Sequence, residues 1–184
     1  MKYFVFIWLM FLALNASSQE NHAHQDSIND TEIAIFIGLD CPISQKYIYR
    51  LNEIYKKYKN YHSIRWSFIV PENVKKKKVR QFSKEYSVNF PLKADDKFLS
   101  KTKYFNASVT PEVIILQSNK SIYRGAIDNW FYELGRYRTI TTEQYLIDAL
   151  DSIIKHQKPL IMETRAIGCF IKTYSTLNPH HLHE

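Results

Sequence analysis

The chain has 184 residues, 45% of them hydrophobic and 23% charged, with a formal net charge of +7, the size and polarity of one ordinary globular domain. Its glycines, Gly38, Gly125, Gly135 and Gly168, stand too far apart for a G-x-G-x-x-G dinucleotide fingerprint or a G-x-x-x-x-G-K-[ST] phosphate loop. Two cysteines, Cys41 and Cys169, build neither a disulfide-stapled mini-domain nor a four-thiolate zinc site.

Lys2 precedes an uninterrupted apolar run over residues 3–14, shorter than the roughly 20 residues that span a bilayer and of the length of a signal-peptide core. Small residues at 16 and 18 suit cleavage after Ser18, so residues 1–18 are expected to be a signal peptide and 19–31 a flexible polar arm. The expected destination is the periplasm or the exterior, where a disulfide persists. No second long apolar run follows, so no membrane span is expected in the mature chain.

Residues 33–37 (IAIFI) read as a buried central strand. Cys41-Pro42 follows, and Tyr47, Ile48, Leu51, Ile54, Tyr55 and Tyr58 recur at helical spacing. Pro42 suits the first turn of that helix, where a missing N–H costs nothing. Residues 64–70 (IRWSFIV) predict a second strand, stopped by Pro71. Helices are expected over 73–86, with Val79, Phe82 and Tyr86 inward, and over 97–105. Residues 112–116 and 121–124 read as paired strands around a turn at 117–120. A last helix is expected from about Thr142 to His156, with Thr141 and Gln144 forming a capping box. With no repeat and no long linker, the chain reads as one α/β domain over 32–171, a central sheet covered by helices on both faces, with a His-containing tail over 172–184.

Cys41 falls between a buried strand and the first turn of a helix. Unpaired N–H groups and the positive end of the helix dipole favour an anion there. The thiol is therefore expected to ionise below the roughly 8.5 of free cysteine, giving the thiolate that attacks disulfides and peroxides. The competing reading is a small buried hydrophobe. Pro111, before an apolar strand, belongs at a strand entrance or a turn.

These motifs in this order resemble the thioredoxin-like superfamily, specifically exported redoxins of the alkyl hydroperoxide reductase/thiol-specific antioxidant group. The likeness is carried by Phe36-Ile37-Gly38-Leu39-Asp40-Cys41-Pro42-Ile43-Ser44, by Val109-Thr110-Pro111-Glu112, by Tyr123-Arg124-Gly125-Ala126-Ile127-Asp128 and by Ala166-Ile167-Gly168-Cys169. It implies a thioredoxin-like fold and a cis-proline at Pro111 facing Cys41. It also implies an exported thiol-dependent oxidoreductase, for disulfide exchange or peroxide reduction, with Cys41 as its thiolate and Pro42, Ser44, Thr110 and Pro111 in support. Protein or small-molecule thiols and disulfides would be the substrates, with a separate reductant and neither cofactor, metal nor nucleic acid.

The chain departs from that pattern twice. Ser44 stands where a Cys-x-x-Cys motif has its second cysteine, although its hydroxyl can donate to a Cys41 thiolate from one helical turn away. Gly38 stands where peroxiredoxins carry a threonine or serine that helps hold the peroxide. Cys169 then has three open roles: a resolving thiol, half of a permanent disulfide with Cys41, or a core or dimer-contact residue. The alternative function is a redox-silent binding module for a protein partner or a metal.

The remaining features have plain readings. Lys75, Lys76, Lys77 and Lys78 with Arg80 read as a solvated helix face. His22, His24, His180, His181 and His183 are terminal imidazoles that make no committed metal site. Trp130-Phe131-Tyr132 reads as core packing or the lining of a groove.

Overall fold

Strand β1 (Thr31–Phe36) is the middle of a five-stranded sheet in the computed structural model, which describes residues 31–172. The expected signal peptide, the arm before Thr31, the tail beyond Lys172 and the five terminal histidines lie outside the described residues. Helix α1 (Pro42–Tyr58) leads to β2 (Ile64–Val70), and α2 (Lys76–Glu85) to β3 (Leu92–Ala94). Helix α3 (Ser100–Phe105) and the two-residue β4 (Val109–Thr110) precede the hairpin of β5 (Glu112–Gln117) and β6 (Lys120–Gly125). A small hairpin, β7 (Phe131–Glu133) and β8 (Arg136–Tyr137), precedes α4 (Tyr145–Ile154), and β9 (Cys169–Phe170) comes last.

The sheet order is β3-β2-β1-β5-β6, with β1, β2 and β3 parallel and β5 and β6 antiparallel. Successive side chains of a strand face opposite ways, and both faces of β1 are buried. This double burial is why its sequence is a continuous apolar run rather than an alternation. Ile33 and Ile35 join Phe68, Val70, Val113, Ile115 and Tyr123 under α1, α2 and α4. Ala34 and Phe36 join Ile69 and Ile114 on the opposite face, covered by Phe105 of α3, Ala107 and Ile171. The expected architecture, a mixed central sheet with helices on both faces, is present.

Three helix starts differ from expectation, each for a local reason. Helix α2 begins at Lys76 because residues 72–74 form a turn in which Val74 N–H donates to the Glu72 carbonyl. Helix α3 begins at Ser100 because two carboxylates engage the backbone first. Asp95 accepts from the N–H groups of Lys101 and Thr102, and Asp96 from those of Phe98 and Ser100. The capping box at Thr141 and Gln144 does not form: Gln144 caps α4 with no side-chain bond, and the Thr141 hydroxyl accepts from Arg50. Asn129 instead takes the N–H groups of Thr142 and Glu143.

Beyond α4 the chain becomes a strap. It first lies along β6, where Arg124 N–H donates to the Met162 carbonyl and Thr164 N–H to the Arg124 carbonyl, both at 2.9 Å. The Thr164 hydroxyl accepts from Ala126 N–H and meets the Tyr123 hydroxyl. A β-carbon on Gly125 (φ +139°) would lie 2.2 Å from the Thr164 carbonyl oxygen, so only glycine allows this approach. The strap then crosses to β4, where β9 pairs antiparallel with Phe170 opposite Val109 and Cys169 opposite Thr110. Ile171 N–H donates to the Ser108 carbonyl, and its side chain closes the second core.

Candidate active site

Cys41 is the N-cap residue of α1, in extended conformation (φ −91°, ψ 112°), with Pro42 exposed in the first turn. The loop before it is tied down at both ends. Cys41 N–H donates to the Gly38 carbonyl at 3.3 Å, and the Gln45 side chain donates to the Leu39 carbonyl at 2.8 Å. The helix N-terminus thus aims its free N–H groups and partial positive charge at one sulfur. That sulfur is almost fully enclosed: Cys41 is only 3% exposed.

Three neighbours enclose it. The Cys41 Sγ donates to the Thr110 carbonyl at 3.1 Å, across from the cis Thr110–Pro111 bond. Buried Ser44 accepts Gly38 N–H at 3.2 Å on its Oγ. Because that oxygen is occupied as an acceptor, its own proton is free to point at Cys41, whose thiolate it and the Ser44 N–H stabilise. The third neighbour is Cys169. The β4–β9 register sets it opposite Thr110, where its side chain acts on the Cys41 thiol. Both sulfurs are thiols in the structure.

The two sulfurs are pushed in opposite directions. Burial pushes the Cys41 thiol up, but hydrogen bonds from Cys169 and Ser44 outweigh it and leave the thiol below its ordinary range. Cys169 is pushed up to about 12, by burial first and then by its bond to Cys41 and the charge there. Of the two thiols, Cys41 is thus the more readily ionised and Cys169 the one that keeps its proton.

A cleft of about 440 Å³ opens beside them, lined by Gly38, Cys41, Thr110 and Cys169, with Glu72 and Lys97 on its walls. Pro111 is buried and does not reach this cleft; it faces Tyr47 and Ile167 instead. Of the residues expected in the site, the cleft thus gathers Cys41, Thr110 and Cys169, with Ser44 directly beneath the sulfur. Trp130, Phe131 and Tyr132 do not line it either. Phe131 is core, and Trp130 stands edge-on to Tyr47 with the Arg50 guanidinium over its ring.

Sequence reasoning overlooked a brace behind β4. Glu112 is buried, and its carboxylate accepts Ser108 N–H at 2.9 Å and Arg124 at 3.1 Å. Arg124 also donates to the carbonyls of Asn106 and Phe105, tying down the loop that delivers Thr110. The signal was readable: a carboxylate at the head of an apolar strand requires a buried partner. Lys75 to Lys78 and Arg80 are all exposed, and Lys78 pairs with Asp40 at 2.9 Å.

Among the described residues no His, Cys, Asp or Glu cluster could hold a metal ion, and no helix is long and apolar enough to cross a membrane.

The sequence matches no protein-family profile and no curated protein. The fold does have solved counterparts. A hypothetical protein from Sinorhizobium meliloti 1021 is similar at a TM-score of 0.64 and 20% identity, over 79% of this chain and 81% of that one. An uncharacterized conserved protein from Geobacillus kaustophilus is similar at 0.58 and 20% identity, over 78% and 77% of the two chains. A thiol-disulfide oxidoreductase from Bacteroides fragilis NCTC 9343 is similar at 0.45 and 18% identity, over 52% of this chain and 72% of that one. The parallel β3-β2-β1 strands, the antiparallel β5–β6 pair and the helices on both faces make this a thioredoxin-like fold.

Proposed function

We propose that the protein is a thiol–disulfide oxidoreductase in which Cys41 attacks and Cys169 resolves. The observation that carries this reading is the register of β9 on β4, which lays a second thiol against a buried, stabilised nucleophile. The pair does the work of a Cys-x-x-Cys motif whose second position is here Ser44.

The reaction balances on these two sulfurs. The Cys41 thiolate attacks one sulfur of a substrate disulfide, forming a mixed disulfide and expelling the first substrate thiolate. The Cys169 thiolate then attacks the Cys41 sulfur, expels the second substrate thiolate and leaves a Cys41–Cys169 disulfide. Two electrons pass to the substrate, and the protons lost from the two cysteines are taken up by its two thiolates. A thiol reductant restores the resting state by the reverse exchange. Run backwards, the same steps oxidise a dithiol.

The order of events follows from the electrostatics. While Cys41 is a thiolate, Cys169 donates to it and holds its own proton. Once the Cys41 sulfur is bound in a mixed disulfide, that charge is gone and Cys169 ionises more readily. Its nucleophilicity appears only when it is needed. The proposed setting is outside the cytoplasm, after removal of residues 1–18, with the working domain over 32–171.

Mass spectrometry of the unreduced protein after exposure to oxidised glutathione tests the reading. The expected result is loss of two hydrogens, mapped to a Cys41–Cys169 linkage. Cys169→Ser should hold glutathione on Cys41, and Cys41→Ser should do neither. Full exchange activity in Cys41→Ser, or an inert Cys41 in the wild type, overturns it and leaves the redox-silent binding module.

A further inference from the structure

Cys41 is only 3% exposed, and what covers it is the chain's own strap. The covering segment, residues 165–170, is held at both ends. Upstream, Thr164 is bonded to Tyr123, Arg124 and Ala126. Downstream, Ile171 is buried in the second core and hydrogen-bonded to Ser108. Between them Gly168 lies so close to β4 that a β-carbon there would stand 2.1 Å from the Thr110 carbonyl oxygen. The free edge of β4, which an incoming extended chain would need for main-chain pairing, is already occupied by Cys169 and Phe170.

What remains open is the cleft of about 440 Å³, at the small end of the range for small-molecule sites. Charges of both signs line it: Glu72, Lys97 and Lys172. Asp40 also lines it but is already paired with Lys78 at 2.9 Å.

We propose that the strap restricts Cys41 to low-molecular-weight, zwitterionic disulfides of the amino-acid or short-peptide type, and shuts out disulfides borne on polypeptides. This rests on the thiol–disulfide reading above and adds its substrate class. The ammonium and carboxylate groups of such a molecule meet Glu72 and the two lysines, while its disulfide lies towards Cys41. The chemistry is unchanged: the Cys41 thiolate displaces one half of the small disulfide, and Cys169 displaces the other.

Stopped-flow exchange of the reduced full chain with three disulfides tests this. They are cystine, the neutral hydroxyethyl disulfide, and a linear peptide of about twenty residues carrying one mixed disulfide. Each rate is divided by that of the same disulfide with a free thiolate, which removes intrinsic reactivity. Cystine should exceed the neutral disulfide by about tenfold, and the peptide should lag cystine by about a hundredfold because the strap must first open locally. Glu72→Gln with Lys97→Met should erase the advantage of cystine over the neutral disulfide. Gly168→Val, which forces the strap from β4, should narrow the peptide lag by about tenfold. A peptide rate equal to that of cystine in the wild type overturns the proposal, and that comparison stands even if Gly168→Val fails to fold. Equal rates for cystine and the neutral disulfide also overturn it. Failure of Cys41 to exchange with all three reagents defeats instead the oxidoreductase reading on which it rests.

Discussion

Gly38 and Thr110 share one space. A β-carbon built on Gly38 would lie 2.5 Å from the Thr110 hydroxyl oxygen and 3.0 Å from the Cys41 β-carbon. The space left by the missing side chain in the loop before Cys41 is thus filled by one reaching in from β4. Gly38→Ala should force β4 outwards, costing about 1–3 kcal/mol as overpacking does and slowing Cys41–Cys169 disulfide formation. Adding Thr110→Ala should recover most of both losses. Urea unfolding and the rate of disulfide formation, measured on both variants, give the coupling between the two positions.

Ser44→Ala removes the acceptor of the Gly38 N–H and a donor to the Cys41 thiolate together. An unsatisfied buried N–H costs about 1–3 kcal/mol, and the Cys41 pKa should rise towards its ordinary value. Ultraviolet titration of the thiolate in a Cys169→Ala background, where Cys41 is the remaining cysteine, reads the shift without overlap.

The opposed pKa shifts give the fold a dependence on pH with a definite sign. Cys41 is lowered in the native state, so its contribution is fully present above the ordinary thiol value and is lost as pH falls through its native value. Cys169 is raised to about 12, so its contribution is present below the ordinary value and is lost as pH rises through about 12. Between mildly acidic and mildly alkaline pH, the stability advantage of the wild type over Cys41→Ala should therefore grow. An advantage that shrinks with rising pH in denaturant unfolding would contradict the assignment of Cys41 as the thiolate.

Asp128 carries structure rather than chemistry. Its buried carboxylate accepts the Tyr47 hydroxyl at 2.6 Å, the Trp130 N–H at 2.8 Å and the Arg50 guanidinium, well away from the cleft. Asp128→Ala leaves these donors facing a void and should destabilise the protein by about 3 kcal/mol. The alkylation rate of Cys41 in the folded protein should stay at its wild-type value. A thermal melt and a labelling time course separate the two effects.

What could be read from the sequence follows from how each element is stabilised. Strands β1 and β5 declare themselves because both of their sides are buried along most of their length, which demands near-continuous apolar runs, and β2 does so through its buried Phe68-Ile69-Val70 end. The position of Cys41 at a helix start is likewise local, marked by Pro42 and by the periodicity behind it. Strands β3, β4, β7, β8 and β9 span two or three residues each, too few for any alternation to show. For β3, β4 and β9 the pairing rests on register between distant segments, such as Thr110 with Cys169. That single register separates a cysteine of three open roles from one lying against Cys41. The failed capping box at Thr141 has the same origin, since the Arg50 that claims its hydroxyl comes from α1.

The strap also decides what oxidation would do to the whole molecule. In a Cys-x-x-Cys protein the bond closes a loop of one helical turn and scarcely alters the connectivity of the chain. A bond from Cys41 to Cys169 would instead close a ring containing β2, β3, β5 and β6. In the chain-entropy account a ring of this size is worth about 4–5 kcal/mol, comparable with the total stability of many domains. Thermodynamic linkage then ties fold stability to redox potential: whatever loosens the folded sheet makes the dithiol harder to oxidise. The melting temperature of this protein would act as a gauge of its electron content.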